Sequence, residues 1–161
     1  MSTARSLLHQ MQIVQVIPPA ADAAGRTGQY VSLKNAGKIT FLVQIAQGNA
    51  ATVAVSLLQA QDVSGTGSKA LVATAISSNL DESASDLLVA QATASSYTTD
   101  AGLKNKIVAF EVDEAALDVT NGFRTVTIST GASNVANITS AVALAFAERY
   151  AGATMPSAIV N

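Results

Sequence analysis

Two acidic groupings, one glycine-rich loop and a single histidine are the places in this chain where residue types point toward chemistry. Asp81, Glu82 and Asp86 form the densest acidic cluster. Calcium takes about six to eight oxygen ligands, and acidic loops supply them. The spacing here fits no calcium loop, however, and Ser and Ala fill the gaps, so a solvated loop is expected. Asp113, Glu114 and Asp118 offer the paired carboxylates that glycoside hydrolysis uses. Nothing complements them, because aromatic residues are only 4% of the chain and sugar-stacking platforms are correspondingly scarce. Gly65-Thr66-Gly67-Ser68-Lys69 resembles a phosphate loop only superficially. That motif needs four residues between its first Gly and a Gly-Lys pair, followed by Ser or Thr, on a strand-to-helix turn. Here Lys follows Ser and the next residues are β-like, so a hairpin loop is expected. His9 is the one histidine, which leaves no Ser/His/Asp triad and no His-based metal cluster. The absence of cysteine removes disulfides, thiolate metal sites and Cys nucleophiles. The expectation is a chain with no catalytic residue, no metal and no cofactor, which is not an enzyme.

The elements that carry these groups are strands. Lys38 to Ala60 holds two alternating runs, Ile39, Phe41, Val43 and Ile45, then Val53, Val55 and Leu57, joined by Gly48-Asn49. A period of two marks half-buried strands, and Gly-Asn is a turn signal, so the stretch reads as one long β-hairpin at the centre of the core. Ile13–Ile17 is a strand stopped by Pro18-Pro19, and Tyr30–Leu33 a short one. Ala70–Ile76, Leu87–Thr93, Ile107–Val112 and Phe123–Thr130 follow, with one helical turn between Glu114 and Val119. Ile138–Tyr150 is rich in alanine, which favours helix, but its parity separates Ile138, Val142, Leu144 and Phe146 from Thr139, Ala141, Ala143 and Ala145. We read it as a strand. Eight or nine strands without a long helix predict an all-β fold, an antiparallel β-sandwich of jelly-roll type, with an Ig-like sandwich as the alternative. Phe41, Val43, Val53, Val55, Phe110, Val126, Ile128, Leu144 and Phe146 are the expected core. Residues 1–28 read as an N-terminal arm, 29–150 as the sandwich and 151–161 as a C-terminal tail.

Composition narrows the partners. At 161 residues the chain can bury a core as one domain. Charged residues are 12%, half the usual ~25%. With a net charge of −2, so sparse a charge removes most self-repulsion. The chain is therefore either prone to aggregate or covered by other subunits, and we expect the second. Nine basic residues are scattered singly, not in the stripe that phosphate neutralisation needs, so no nucleic acid is expected. No apolar run reaches ~18 residues and the start lacks an apolar signal core, so neither a membrane span nor export is expected.

Several stretches resemble a family of small tailed-phage and prophage virion proteins of the head-decoration type. They are Tyr30-Val31-Ser32-Leu33-Lys34-Asn35, the run from Leu58 to Leu71, Phe110-Glu111-Val112-Asp113, Leu117 to Phe123, and Ala147-Glu148-Arg149-Tyr150. Together they span about residues 30 to 150 and are structural turns rather than a chemical signature. The resemblance implies a β-rich fold and a virion location, and it carries over no catalytic residue. It leads to the expectation of a capsid decoration (cement) protein, made in the host cytoplasm and seated on the phage head. Its partners would be the major capsid protein and itself, as a homo-oligomeric trimer or dimer. A tail, neck or fibre component and a receptor- or glycan-binding module are the alternatives.

The two ends are the expected interface. Leu7, Leu8, Met11, Ile13 and Val16 in the arm, with Met155, Ile159 and Val160 in the tail, are many apolar residues for free termini. Full burial of each contributes about 1.5–3 kcal/mol, so at least one end is expected to pack on a neighbouring subunit or on the capsid.

Overall fold

The computed structural model describes residues 10–72, 74–146 and 156–160. Twelve strands lie in this part of the chain. They are β1 (Met11–Ala21), β2 (Arg26–Thr27), β3 (Val31–Ser32), β4 (Lys38–Gln47), β5 (Ala54–Ala60) and β6 (Lys69–Ala70), then β7 (Ala75–Asn79), β8 (Val89–Ala90), β9 (Ser96–Thr98), β10 (Asn105–Asp113), β11 (Thr125–Thr130) and β12 (Asn137–Phe146). Two short 3₁₀ turns, Glu114–Ala116 and Val119–Asn121, sit between β10 and β11. The order in one sheet, here sheet A, is β1-β12-β4-β10-β7-β8; the other, sheet B, runs β2-β11-β5-β6, with β3 also on β11 and β9 also on β5. All the pairings are antiparallel.

The topology is that of a jelly roll. Strands β2 and β3 lie end to end along β11 and act as one. Counting them so, and taking β1, β2–β3, β4, β5, β9, β10, β11 and β12 as one to eight, the sheets run 1-8-3-6 and 2-7-4-5. First pairs with last, second with seventh, third with sixth and fourth with fifth. An antiparallel ribbon wound over on itself gives this nesting, and the Ig order does not. β7 and β8 extend sheet A beyond β10.

Lys38 to Ala60 departs from the expected hairpin. β4 and β5 stand in different sheets, one between β12 and β10, the other beside β11. The alternation was real, since Ile39, Phe41, Val43, Ile45, Val53, Val55 and Leu57 are all buried. The turn is a corner between layers because β12 captures it. Asn137 Oδ1 accepts from Asn49 N at 2.8 Å, and Asn137 Nδ2 donates to Ala51 O at 2.8 Å. A Cβ at Gly48 would meet Ala136 O at 2.5 Å, so glycine lets the chain pass close to this backbone.

The core lies between the sheets. Phe41 and Phe110 are cross-strand neighbours pointing inward, both fully buried. Beside Phe41 on β12 is Ala143, and this explains a second departure. The small face of β12 (Thr139, Ala141, Ala143, Ala145) is buried, whereas Val142, Leu144 and Phe146 are half-buried on the outside. Two phenylalanines already fill that space, so small residues face them. Leu144 and Phe146, expected in the core, are therefore corrected to the outer face; the other seven expected core residues are buried.

The expected arm also changes character. Residues 11–21 form β1, paired with β12 from Met11↔Phe146 to Ala21↔Ile138. The strand continues through Pro18-Pro19, which an edge strand tolerates because one side needs no donor. Register shifts between Gln15 and Ala20 break the ladder there, and prolines with bulges blunt an edge against further pairing.

Two buried polar clusters tie the layers at the end near Gln47 and Asn137. Lys106, fully buried, donates from Nζ to Gln47 Oε1 (2.8 Å), Asp100 O (3.0 Å) and Asp100 Oδ1 (2.6 Å). Asp22, also fully buried, accepts at Oδ1 from Thr130 Oγ1 (2.6 Å) and Arg26 Nε (3.3 Å). The Arg26 guanidinium then reaches Pro18 O, Ala20 O and Thr139 O, linking β1 and β12 to β2.

Candidate docking surface

The outer face of sheet A presents a broad, partly apolar surface. Alternation turns Thr40, Leu42, Gln44 and Ala46 of β4 outward, with Ile107, Ala109 and Glu111 of β10 and Ile138, Ser140, Val142, Leu144 and Phe146 of β12. Registry sets them in rows. Val142, Leu42, Ala109 and Ser77 lie side by side across four strands, and Ser140, Gln44, Ile107 and Asn79 form the next row. Ile13 of β1 stands beside Leu144, 56% exposed, and Ile138 is 47% exposed. Charge on the face is sparse. Glu111 pairs with Lys38, and Lys106 turns its ammonium inward. The segment after β7 overhangs one side, so the face is a trough with two adjoining depressions. One is lined by Pro19, Gln44, Glu82, Asn105, Ile138 and Ser140, the other by Leu42, Gln44, Asn79, Glu82, Leu88 and Ile107 among others. The strand face itself loses little hydration when covered, because few charged groups stand on it, and the carboxylates of Glu82 and Asp86 gather at its overhung side.

The groups singled out in the sequence are placed as follows. Asp81 and Glu82 open a turn after β7. Asp81 Oδ1 accepts from Ser83 N at 3.1 Å and from the Ser83 hydroxyl, and Oδ2 meets Lys104 Nζ at 3.0 Å. The Ser83 hydroxyl and then Lys104 hold this carboxyl below its ordinary value. Its cation is thus already a lysine, while Glu82 and Asp86 line the depression beside Leu42. Asp113 caps the first 3₁₀ turn, accepting from Ala116 N at 3.2 Å. Asp118 accepts from Lys69 Nζ at 2.5 Å and from Asn121, which hold its carboxyl low in that order. Lys69 Nζ also lies 4.0 Å from the centre of the Phe123 ring. These carboxylates serve local caps and pairs rather than one shared centre.

The glycine-rich loop is the β5–β6 hairpin connection. Gly65 (φ 85°) and Gly67 (φ 65°) take left-handed conformations, and Asp62 Oδ1 accepts from Ser64 N and Thr66 N at 2.9 and 3.1 Å. His9 lies outside the described residues.

The expected interface residues separate into three groups. Leu7, Leu8 and Met155 lie outside the described residues. Met11 and Val16 are buried within the chain's own β1, and Ile159 is half-buried. Ile13 and Val160 are exposed, Ile13 on the outer face of sheet A. The described tail lies across its own sandwich, with Ala158 O accepting from Ser32 N at 2.7 Å and Pro156 O from Gln12 Nε2 at 2.8 Å. The broad sheet face was missed as a named site because strand pairing, which sequence periodicity does not reveal, decides which residues align across it.

No protein-family model matches this chain, and no curated protein does. Among solved structures the chain is similar to the crystal structure of SPBc2 prophage-derived protein YomS, with a TM-score of 0.48 and 12% identity, over 84% of this chain and 93% of that one.

Proposed function

We propose that this chain is a structural virion protein, a capsid decoration (cement) protein that stabilises a phage head by bridging major capsid subunits. The observation that carries the reading is the outer face of sheet A, a rigid, charge-poor apolar surface spanning β1, β12, β4 and β10. The resemblance of the Tyr30–Asn35, Leu58–Leu71 and Leu117–Phe123 stretches to head-decoration proteins supports it. The mechanism is burial of area across a junction rather than chemistry. At about 25 cal/mol per Å², a standard interface of roughly 800 Å² per partner suffices for specific attachment, and repetition over a symmetric shell compensates for modest affinity per site. In this role the protein acts as a homo-oligomer, a trimer or dimer, on the head surface and needs no cofactor.

The test is cryo-EM of purified particles containing the chain, together with a Leu42→Asp/Val142→Asp variant. The expected result is density at capsomer junctions in matching copy number, lost in the variant although its circular dichroism is unchanged. Few copies at the tail, or glycan binding without particle binding, would place the protein in a fibre or receptor-binding role instead.

A further inference from the structure

The depression beneath the segment that follows β7 has a distinctive lining. Its volume is about 380 Å³, within the range of small binding clefts. Leu42 and Ile107 belong to its sheet floor, and Leu88, 45% exposed, lines it from the overhanging segment. Glu82 and Asp86 also line it, and both are exposed. Among the described residues the ion pairs engage Asp22, Asp81, Asp100, Glu111 and Asp118, and neither Glu82 nor Asp86. Lys69, Lys104 and Lys106 are committed elsewhere, Lys69 to Asp118, Lys104 to Asp81 and Lys106 to Gln47 and Asp100.

An apolar slot with two unneutralised carboxylates selects its occupant by charge. An anionic group is repelled. A purely apolar group would cover the slot while stripping water from carboxylates that gain nothing in return. A long cationic side chain satisfies both parts, laying its methylenes on Leu42, Ile107 and Leu88 and its head against the carboxylates. Arginine suits this best, because its planar fork makes two parallel N–H···O bonds to a carboxylate and is more weakly hydrated than an ammonium.

We propose that this cleft receives an arginine side chain projecting from the partner protein that covers sheet A. The inference rests on the docking reading of that face and adds the chemistry of the partner, an apolar patch carrying a protruding cation.

Full-length ¹⁵N-labelled protein is titrated with N-acetyl-arginine methylamide and, separately, with its neutral isostere N-acetyl-citrulline methylamide. The expected result is a saturable set of amide shifts confined to Leu42, Ile107, Leu88 and their neighbours, several-fold weaker with citrulline. A Glu82→Gln/Asp86→Asn variant is expected to keep its spectrum elsewhere and lose the preference for arginine. Equal response to both probes, scattered shifts, or no saturable response overturns the inference. Particle attachment is measured separately, so loss of the docking reading shows as absence from particles whatever the titration gives.

Discussion

Lys106 carries its charge at a position with no solvent exposure, and three acceptors meet its three N–H groups. Replacing it with Met keeps the stem but removes three charge-assisted hydrogen bonds and the counter-charge of Asp100, leaving Gln47 Oε1 to Thr99 Oγ1 at 2.9 Å and Asp100 O to Gln47 Nε2 at 2.8 Å. Lys106→Met is therefore expected to lose about 1.5–3 kcal/mol, the scale of hydrogen bonds to a charged group, read as a lower urea midpoint with an unchanged slope. The same contact contributes to acid stability. The Lys106 hydrogen bond, followed by that from Gly102 N–H, holds the Asp100 carboxyl below the ordinary 3.8. A depressed native value means that the contribution is complete above the unfolded value and is lost as pH falls through the native one. Asp62, Asp81 and Asp118 shift in the same direction, led by Thr66, Ser83 and Lys69 respectively. Stability carried by these four groups should stay level from about pH 7 to 5 and decline below about pH 4, with a shallower acid limb in Asp100→Asn. Denaturant melts across that range check both points. The buried lysine was hidden in the sequence because the strand was read from Ile107. Begun at Asn105, the same parity that buries Val108, Phe110 and Val112 would have placed Lys106 on the core face.

At the scale of elements, β12 shows what periodicity reveals and what it leaves open. Alternation from Ile138 to Phe146 correctly identifies a strand despite the five alanines from Ala136 to Ala147, which favour helix locally. It cannot say which face turns inward when one side is large and the other small. The neighbours decide, and Phe41 beside Ala143 leaves room only for a methyl group. Ala143→Leu should therefore cost about 1–3 kcal/mol by overpacking, while Leu144→Ala, on the half-buried outer side, should cost less than the ~2–5 kcal/mol of a core truncation. Thermal unfolding of the two variants compares them directly, and the opposite ranking would mean that the faces are reversed. Gly48-Asn49 teaches the same lesson about pairing. Turn chemistry marked the bend, but Asn137, far along the chain, makes it a corner between sheets.

For the molecule as a whole, strand content and a sandwich of jelly-roll type were legible because buried positions alternate over many short strands, whereas the neighbours of each strand were not, since most pairings join residues remote in sequence. The tail adds a contact that the sequence did not reveal, since Ala158 packs on the chain's own core and bonds β3. Deleting residues 156–161 should thus lower the stability of the isolated protein by about 1–2 kcal/mol, the scale of a lost hydrogen bond and its packing, visible as a lower melting temperature at any protein concentration. A melting temperature that changes only when the protein is diluted would assign the tail to subunit contacts instead.

The nesting of first strand with last also has a consequence in time. A ribosome adds about 5–20 residues per second and domains fold as units, so β1 and β4 emerge well before β12, the strand that lies between them in sheet A. Until it arrives, the strand edge of β4 stays unpaired and sheet A incomplete, in a chain with little charge to keep copies apart. Non-local pairing of this kind folds in milliseconds to seconds, which adds to the wait. Yield in a heterologous host should accordingly depend on synthesis rate and temperature more than the stability of the finished sandwich would suggest.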